Sequence, residues 1–427
     1  MEVARKRTND PAGVLNILKG RHDVVVPIAN GEPVRLLDAI EDGASRMSDL
    51  RVHQMHALRD RPYIRGEIES IRHVSYFLSS VTRPAFWNGT CDFTPAHFSE
   101  VPHILREVTR DPVLIAASSL PDQHGWFSLG TNADYAAPLI GTMPVFLEAN
   151  PNMPRTHGSN NVHVSQIAGW CETNHPLVEV PTPERSPEDD AIAQLVAERI
   201  PDGATIQIGI GSTSSAVLSQ LSSHRDLGVH TELLSDGIAD LFKAGVVTGR
   251  RKATRPGRIV TTFALGSKAL YDFVDGNNGV EFISVDWVNN PRVIADEENF
   301  VSVNATCEVD MMGQANSEMI NGRMWSGSGG QADFAHGAMF SPNGKGFLTL
   351  HSTNRDETVS RIKVMLAAGS PVTTLKNAVD HVVTEYGVAE LFGQPVSVRA
   401  RRLIDIAHPK FRESLEREAH AAGFLRD

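Results

Sequence analysis

Cysteine is scarce in this chain: Cys91, Cys171 and Cys307 are the only three among 427 residues. An odd, widely spaced set excludes a disulfide scaffold and reads as reduced thiols in a cytoplasmic protein, with Cys91 and Cys171 expected as buried packing residues. CxxC and HExxH spacings are missing and the 17 histidines are scattered, so no metal site is expected. No apolar run approaches the roughly 18 residues of a membrane span. The basic stretch at residues 1–7 has no apolar segment behind it, so no signal peptide is expected. Positive charge is also short. The net charge is −11, which argues against a nucleic-acid surface. An anionic ligand must then be met by local donors, such as helix N-termini and a few Arg or Lys.

What is present is core-forming sequence, 41% hydrophobic and 21% charged, enough for roughly two or three domains. Short apolar runs bounded by turn residues alternate with helical patterns, which indicates an α/β protein with mostly parallel strands. Strands are expected near residues 23–27, 113–119, 143–150, 205–208, 227–232, 279–286, 300–305, 347–352 and 381–388. Helices are expected at 34–40, 191–200, 215–221 and through 391–421. Residues 181–190 carry three prolines and an acidic run, a linker by composition. It divides the chain into an N-terminal α/β domain at 1–185 and a C-terminal one at 186–427. The stretch from Val25 to Leu37 superposes on Ile206 to Leu218 at a constant offset of 181, each a strand, a small-residue loop and a helix. This reads as a duplication, although any two βα units share that outline.

Glu232 stands out. It closes a strand–glycine loop–helix–strand unit, after Gly209-Ile210-Gly211 and before the turn Ser235-Asp236-Gly237. Ligand chemistry in open α/β sheets collects at the carboxyl ends of strands. An isolated Glu is ordinarily solvated, but a second glycine-rich loop, Gly327-Ser328-Gly329-Gly330, supplies the kind of bare backbone that approaches a reacting group closely.

With these segments stand Met153-Pro154-Arg155-Thr156-His157-Gly158, Gln207-Ile208-Gly209-Ile210-Gly211, His230-Thr231-Glu232-Leu233-Leu234-Ser235-Asp236-Gly237, Thr262-Phe263-Ala264-Leu265-Gly266, Ser326-Gly327-Ser328-Gly329-Gly330, Thr358-Val359-Ser360-Arg361-Ile362 and Val383-Thr384-Glu385-Tyr386-Gly387. In that order the chain resembles the acetyl-CoA hydrolase/transferase family, which includes the 4-hydroxybutyrate and succinyl-CoA:acetate CoA-transferases. The resemblance implies two similar, open, mostly parallel α/β domains with the active site between them, and a homodimer. It implies that Glu232 is the nucleophile. Its carboxylate attacks an acyl-CoA thioester to give an anhydride, and the CoA thiolate converts this to an enzyme–CoA thioester that an incoming carboxylate reverses. A serine ester would lie well below the thioester in energy and strand the CoA, whereas an anhydride keeps the exchange nearly level.

The backbone N–H groups of Gly329 and Gly330 are the expected oxyanion donors. Gly209, Ile210, Gly211, Gly327 and Ser328 are expected to contact CoA or the acyl group, and Asn30 and Gly31, the first-half counterpart of the glycine loop, the acyl group. Coenzyme A is a substrate here, and no permanently bound cofactor is implied. The partners implied are acyl-CoA and small carboxylates. An acyl-CoA hydrolase using the same Glu232 is the alternative, and a non-catalytic CoA-binding protein a further one. A nicotinamide dehydrogenase is disfavoured because the third glycine after Gly211 is missing. Glu308 and Asp310 form a second carboxylate pair, ranked below Glu232. Arg155 and His157 are weighed as anion ligands, and Glu385 as a structural hydrogen-bonding residue.

Overall fold

The computed structural model describes residues 2–426, so the outermost residue of each expected domain lies outside it. The apolar runs form the central strands of two sheets covered by helices on both faces, as parallel sheets require. The first sheet contains β1 (Asp23–Val25), β2 (Leu50–Gln54), β3 (Ile71–Ser75), β4 (Cys91–Phe93), β5 (Val113–Ser118), β6 (Val145–Ala149) and β7 (Gly169–Glu172). Their spatial order is β7-β6-β5-β1-β2-β3-β4, and every neighbour is parallel.

The second sheet contains β8 (Thr205–Ile208), β9 (Gly228–Leu234), β10 (Ile259–Ala264), β11 (Val280–Phe282), β12 (Phe300–Ala305), β13 (Lys345–Thr349), β14 (His381–Thr384) and β15 (Gly387–Glu390). Its order, β14-β13-β12-β8-β9-β10-β11, is the order of the first sheet with each number raised by seven. The repeat read from Val25–Leu37 and Ile206–Leu218 is therefore the visible part of a duplicated sheet. In each copy the chain reverses direction at the first strand, which opens a crevice at the carboxyl ends of the flanking strands. The helices that follow β1 and β8 are α1 (Val34–Asp42) and α2 (Ser212–Gln220).

Two additions extend the second sheet, and the second of them ties the halves together. Antiparallel β15 extends one edge of the second sheet, and a two-residue strand from the first half, His157–Gly158, pairs with β11 on the other. The loop after residue 129 also crosses over: the N–H groups of Ala133 and Asp134 both donate to the Thr262 carbonyl, at 2.8 and 3.1 Å, and that of Ala264 donates to the Thr131 carbonyl at 2.8 Å.

The linker is extended until Ser186, whose side chain accepts from the Asp189 N–H while the Asp189 carboxylate accepts from the Ser186 N–H. This reciprocal cap, with Pro187 at the first helical position, starts the helix Pro187–Ala197 earlier than the apolar pattern suggests. The strand expected to run to residue 286 ends at Phe282, and the short helix Val285–Val288 follows. The stretch 381–388 is a hairpin in which Glu385 accepts from the Ser352 N–H at 3.0 Å. The C-terminal region is two helices, Val396–Asp405 and Pro409–Ala421, broken where Pro409 starts the second. Among the described residues, no helix is long and apolar enough to cross a membrane.

Gly158 carries a φ of +131° and a Cβ added to it would lie 2.0 Å from the Phe282 carbonyl oxygen. Gly158→Ala combines a disfavoured backbone with a collision against β11. The expected loss is roughly 1–3 kcal/mol from conformation alone, with the overlap added, read as a fall of several degrees in thermal midpoint by calorimetry. An unchanged midpoint would show that the crossing strand does not hold the halves together.

Candidate active site

Glu232 sits on β9, between its own sheet and the first half. The Asn289 amide donates to Glu232 Oε2 at 2.8 Å and lies 3.5 Å from Asp333 Oδ2. Asn289 ends the short helix Val285–Val288, and Asp333 lies in the first turn of α3 (Gln331–Phe340). Asp333 in turn accepts from the N–H and Oγ of Ser99, at 3.2 and 2.8 Å, so a first-half residue anchors the network. Burial pushes the Glu232 carboxyl up to about 7; the Asn289 hydrogen bond opposes this, the Asp333 charge adds to it, and the Gly330 N–H opposes it. Burial likewise raises Asp333 above the usual carboxylate range, against the donors from Ser99.

Gly330 caps the N-terminus of α3, the end of a helix that favours negative charge. A Cβ built there would fall 2.1 Å from Glu232 Oε2 and 2.2 Å from Asn289 Nδ2. Glycine is needed here for close approach, since its φ of −97° suits any residue. The neighbouring Gly329 does need glycine's freedom, with φ at +53°. Two bonds pin the loop to the first half: Ser328 Oγ donates to the Ala96 carbonyl at 2.8 Å, and the Phe98 N–H donates to the Gly329 carbonyl at 3.0 Å, within an isolated bridge that pairs residues 97 and 329.

Beside them a cavity of about 200 Å³ lies between the halves. Glu232, Gly209, Ile210 and the whole Gly327–Gly330 loop border it. Gly211 lies in an adjoining cavity of about 120 Å³ bounded by the linker residues 180–183, and Gly209 and Ile210 border both. Gly211 has a φ of +118° and precedes α2.

Asn30 and Gly31 do not border either cavity. The Asn30 amide is spent on the Val178 backbone and the Tyr271 hydroxyl, and a Cβ on Gly31 would collide with Pro27 and Asn132. Ile28 is the residue of that loop that reaches the cavity. Arg155 donates to the carbonyls of Leu120 and Trp126, and His157 lies in the crossing strand. Asp310 accepts from Met312, Gln314 and the Gln314 side chain, while Glu308 pairs with Lys363. Burial pushes the thiols of Cys91 and Cys171 up to about 12, as befits packing residues. Among the described residues, no group of three or more His, Cys, Asp or Glu is disposed to hold a metal ion.

Three residues beyond the sequence reading belong to this site. Asn289 had a faint signal in Val288-Asn289-Asn290-Pro291, a helix end followed by a stop. Ser99 had none, because its partner is 234 residues away. His56, which follows β2, borders the same cavity.

Comparison with known proteins bears on this geometry. Residues 7–181 match the acetyl-CoA hydrolase/transferase N-terminal domain and residues 266–419 the C-terminal domain; Glu232 lies between the two segments. The chain is 42% identical over 421 residues to a 4-hydroxybutyrate coenzyme A transferase of Clostridium kluyveri, covering 98% of each. It is 39% identical to a succinyl-CoA:cyclohexane-1-carboxylate CoA transferase of Geobacter metallireducens, over 97% of this chain and 95% of that one. The crystal structure of a 4-hydroxybutyrate CoA-transferase from Porphyromonas gingivalis superposes with a TM-score of 0.85 at 34% identity, covering 98% of each chain. With matched segments over most of its length and relatives aligned nearly end to end, the chain belongs to the acetyl-CoA hydrolase/transferase family.

Proposed function

We propose that this enzyme is an acyl-CoA:carboxylate CoA-transferase that exchanges CoA between a short acyl-CoA and a small carboxylate such as 4-hydroxybutyrate, succinate or butyrate. The observation that carries the reading is the half-buried Glu232 carboxylate, held by Asn289 and pressed against the bare backbone of Gly330. On this reading Glu232 attacks the thioester carbonyl, the C–S bond breaks and CoA thiolate leaves an acyl–glutamyl anhydride. The thiolate attacks the glutamyl carbonyl, the acyl carboxylate departs, and Glu232 carries CoA as a thioester. The incoming carboxylate attacks that thioester and expels thiolate, which takes the new acyl group and frees Glu232.

Each adduct places negative charge on an oxygen, and we assign its stabilisation to the N–H groups of Gly329 and Gly330 with the Asn289 amide. The thioester arm of CoA lies along Gly209, Ile210 and Gly211, next to Gly327 and Ser328. We take residues 1–185 and 186–427 as the two domains, the second carrying the nucleophile. The enzyme works in the cytoplasm as a homodimer, a setting that its three free cysteines suit.

The test supplies acetyl-CoA with and without a panel of carboxylates, following products by mass spectrometry and free thiol by colour. New acyl-CoA species with little thiol release are expected. Steady thiol release without an acceptor would make the enzyme a hydrolase.

Glu232→Gln abolishes exchange, and unchanged turnover would remove the nucleophile assignment. The same variant has a stability signature. Glu232 ionises about 4.5 in an unfolded chain and about 7 here, so the folded state binds the extra proton and wild-type stability falls as pH rises through that window. The thermal midpoint of Glu232→Gln therefore exceeds that of the wild type by roughly 1–3 °C more at pH 8 than at pH 5.

The reactive form is ionised, so kcat/KM for acetyl-CoA rises about tenfold per pH unit on the acid side and levels near 7. Asn289→Ala lowers the rate on the order of 10². It also moves the midpoint upward, because Asn289 donates to the ionised carboxylate. A lowered rate with an unmoved midpoint would show that Asn289 only shapes the site.

A further inference from the structure

The duplication allows Glu232 to be matched to a residue of the first copy. β1 pairs with β2 so that Val25 faces His53, and β8 pairs with β9 so that Ile206 faces Val229. Superposing Val25 on Ile206 carries His53 onto Val229 and, three residues on, His56 onto Glu232. His56 lies two residues beyond β2 and Glu232 two residues before the end of β9, and both border the cavity between the copies. One copy thus offers a carboxylate and the other an imidazole.

The wall around His56 is apolar: Ile28, Met55, Phe77 and Phe98, with the imidazole 5.8 Å from the Phe77 ring. Other polar side chains of the lining are committed. Gln207 and Asn304 bond each other twice, both at 3.1 Å. Ser328 donates to Ala96, and the Gln331 amide donates to Thr374 at 3.0 Å. Among the described residues the His56 ring bonds to no other residue, only to the backbone of His56 itself. Burial, with help from the Arg83 charge, pushes it down to about 4, so it is a neutral ring with one donor and one acceptor nitrogen. The lining contains no Lys or Arg, so a carboxylate tail would lose its hydration against a neutral wall. With the acyl carbon bonded to Glu232, the tail of the group lies in the cavity that His56 also borders.

We infer that His56 reads the acyl tail and selects short acyl groups carrying an uncharged oxygen, a hydroxyl or keto group, over alkyl chains of the same length. This rests on the CoA-transferase reading and narrows its substrate class. A site with a hydrogen-bonding group facing the tail discriminates against an analogue lacking its partner far more strongly than an apolar pocket discriminates between methylenes.

The experiment measures kcat/KM for 4-hydroxybutyrate and for pentanoate, which has a methyl in place of the hydroxyl, with acetyl-CoA as donor. Wild type, His56→Leu and His56→Gln are compared, with succinate as a third acceptor. The wild type is expected to prefer 4-hydroxybutyrate to pentanoate by roughly tenfold or more. His56→Leu lowers that ratio on the order of 10- to 100-fold, through 4-hydroxybutyrate rather than pentanoate. His56→Gln, which keeps a donor and an acceptor, retains most of it. The ratio comes from one preparation, so partial misfolding does not move it, and the wild-type comparison stands without any variant. A wild type that prefers pentanoate or succinate, or a ratio that His56→Leu leaves within about twofold, overturns the inference and leaves CoA transfer standing. Absence of exchange with every acid overturns both.

Discussion

A half-buried carboxylate that must still ionise is the constraint on which this site depends. As the proposed nucleophile, Glu232 has to lose water so that an anhydride survives long enough to be resolved, yet a dry carboxylate resists ionisation. The compromise is local. One amide from Asn289 and the N-terminal end of α3 support the charge, while Asp333, close to the same amide, works against it. The result is a carboxylate poised near neutral pH. Space for this exists only because position 330 has no side chain; a single methyl would occupy the place of the Glu232 oxygen. Bare backbone is therefore required by contact with Glu232 before any substrate arrives.

The loop that meets this requirement belongs to the second half but is held by the first. Ala96, Phe98 and Ser99 grip Ser328, Gly329 and Asp333. Closure of the seam and assembly of the site are one event. The crossing strand His157–Gly158 and the bonds to the Thr262 carbonyl serve the same purpose at a distance, because any rotation of the halves would pull the glycine loop away from Glu232. Two copies of one topology can face each other symmetrically, and at the cavity the symmetry is broken in chemistry, with His56 standing where the other copy has Glu232.

Legibility in the sequence followed burial type. A strand with a long aliphatic run, such as β5, was readable because both its faces are apolar. β2 and β3 were not, since Leu50-Arg51-Val52-His53-Gln54 and Ile71-Arg72-His73-Val74-Ser75 look amphiphilic. Their polar residues are nonetheless partly interior: His53 is buried against the Tyr76 hydroxyl and the Asp23 carboxylate, and Arg51 caps the same carboxylate. Such pairing spans about 30 residues and leaves no periodic trace. Glu232 and the glycine loop were readable as motifs, whereas Asn289 and Ser99 act through contacts set by folding. Asn30 was misplaced by analogy within the repeat: the linker returns across the first copy and takes up its amide at Val178.

The polar inventory of the cavity also bears on whether water or a carboxylate completes the reaction. Hydrolysis of the anhydride or of the glutamyl thioester requires a group that both places a water and accepts its proton. Gln207 and Asn304 satisfy each other, and the lining serines and Gln331 are bonded inward. His56 remains, but burial holds its basicity well below that of an ordinary histidine, which makes it a fair hydrogen-bond partner and a poor base. An incoming carboxylate needs no base, because it arrives already ionised. The same shortage of proton acceptors that would slow water leaves the carboxylate route unhindered, so a cavity of this composition favours transfer by its chemistry.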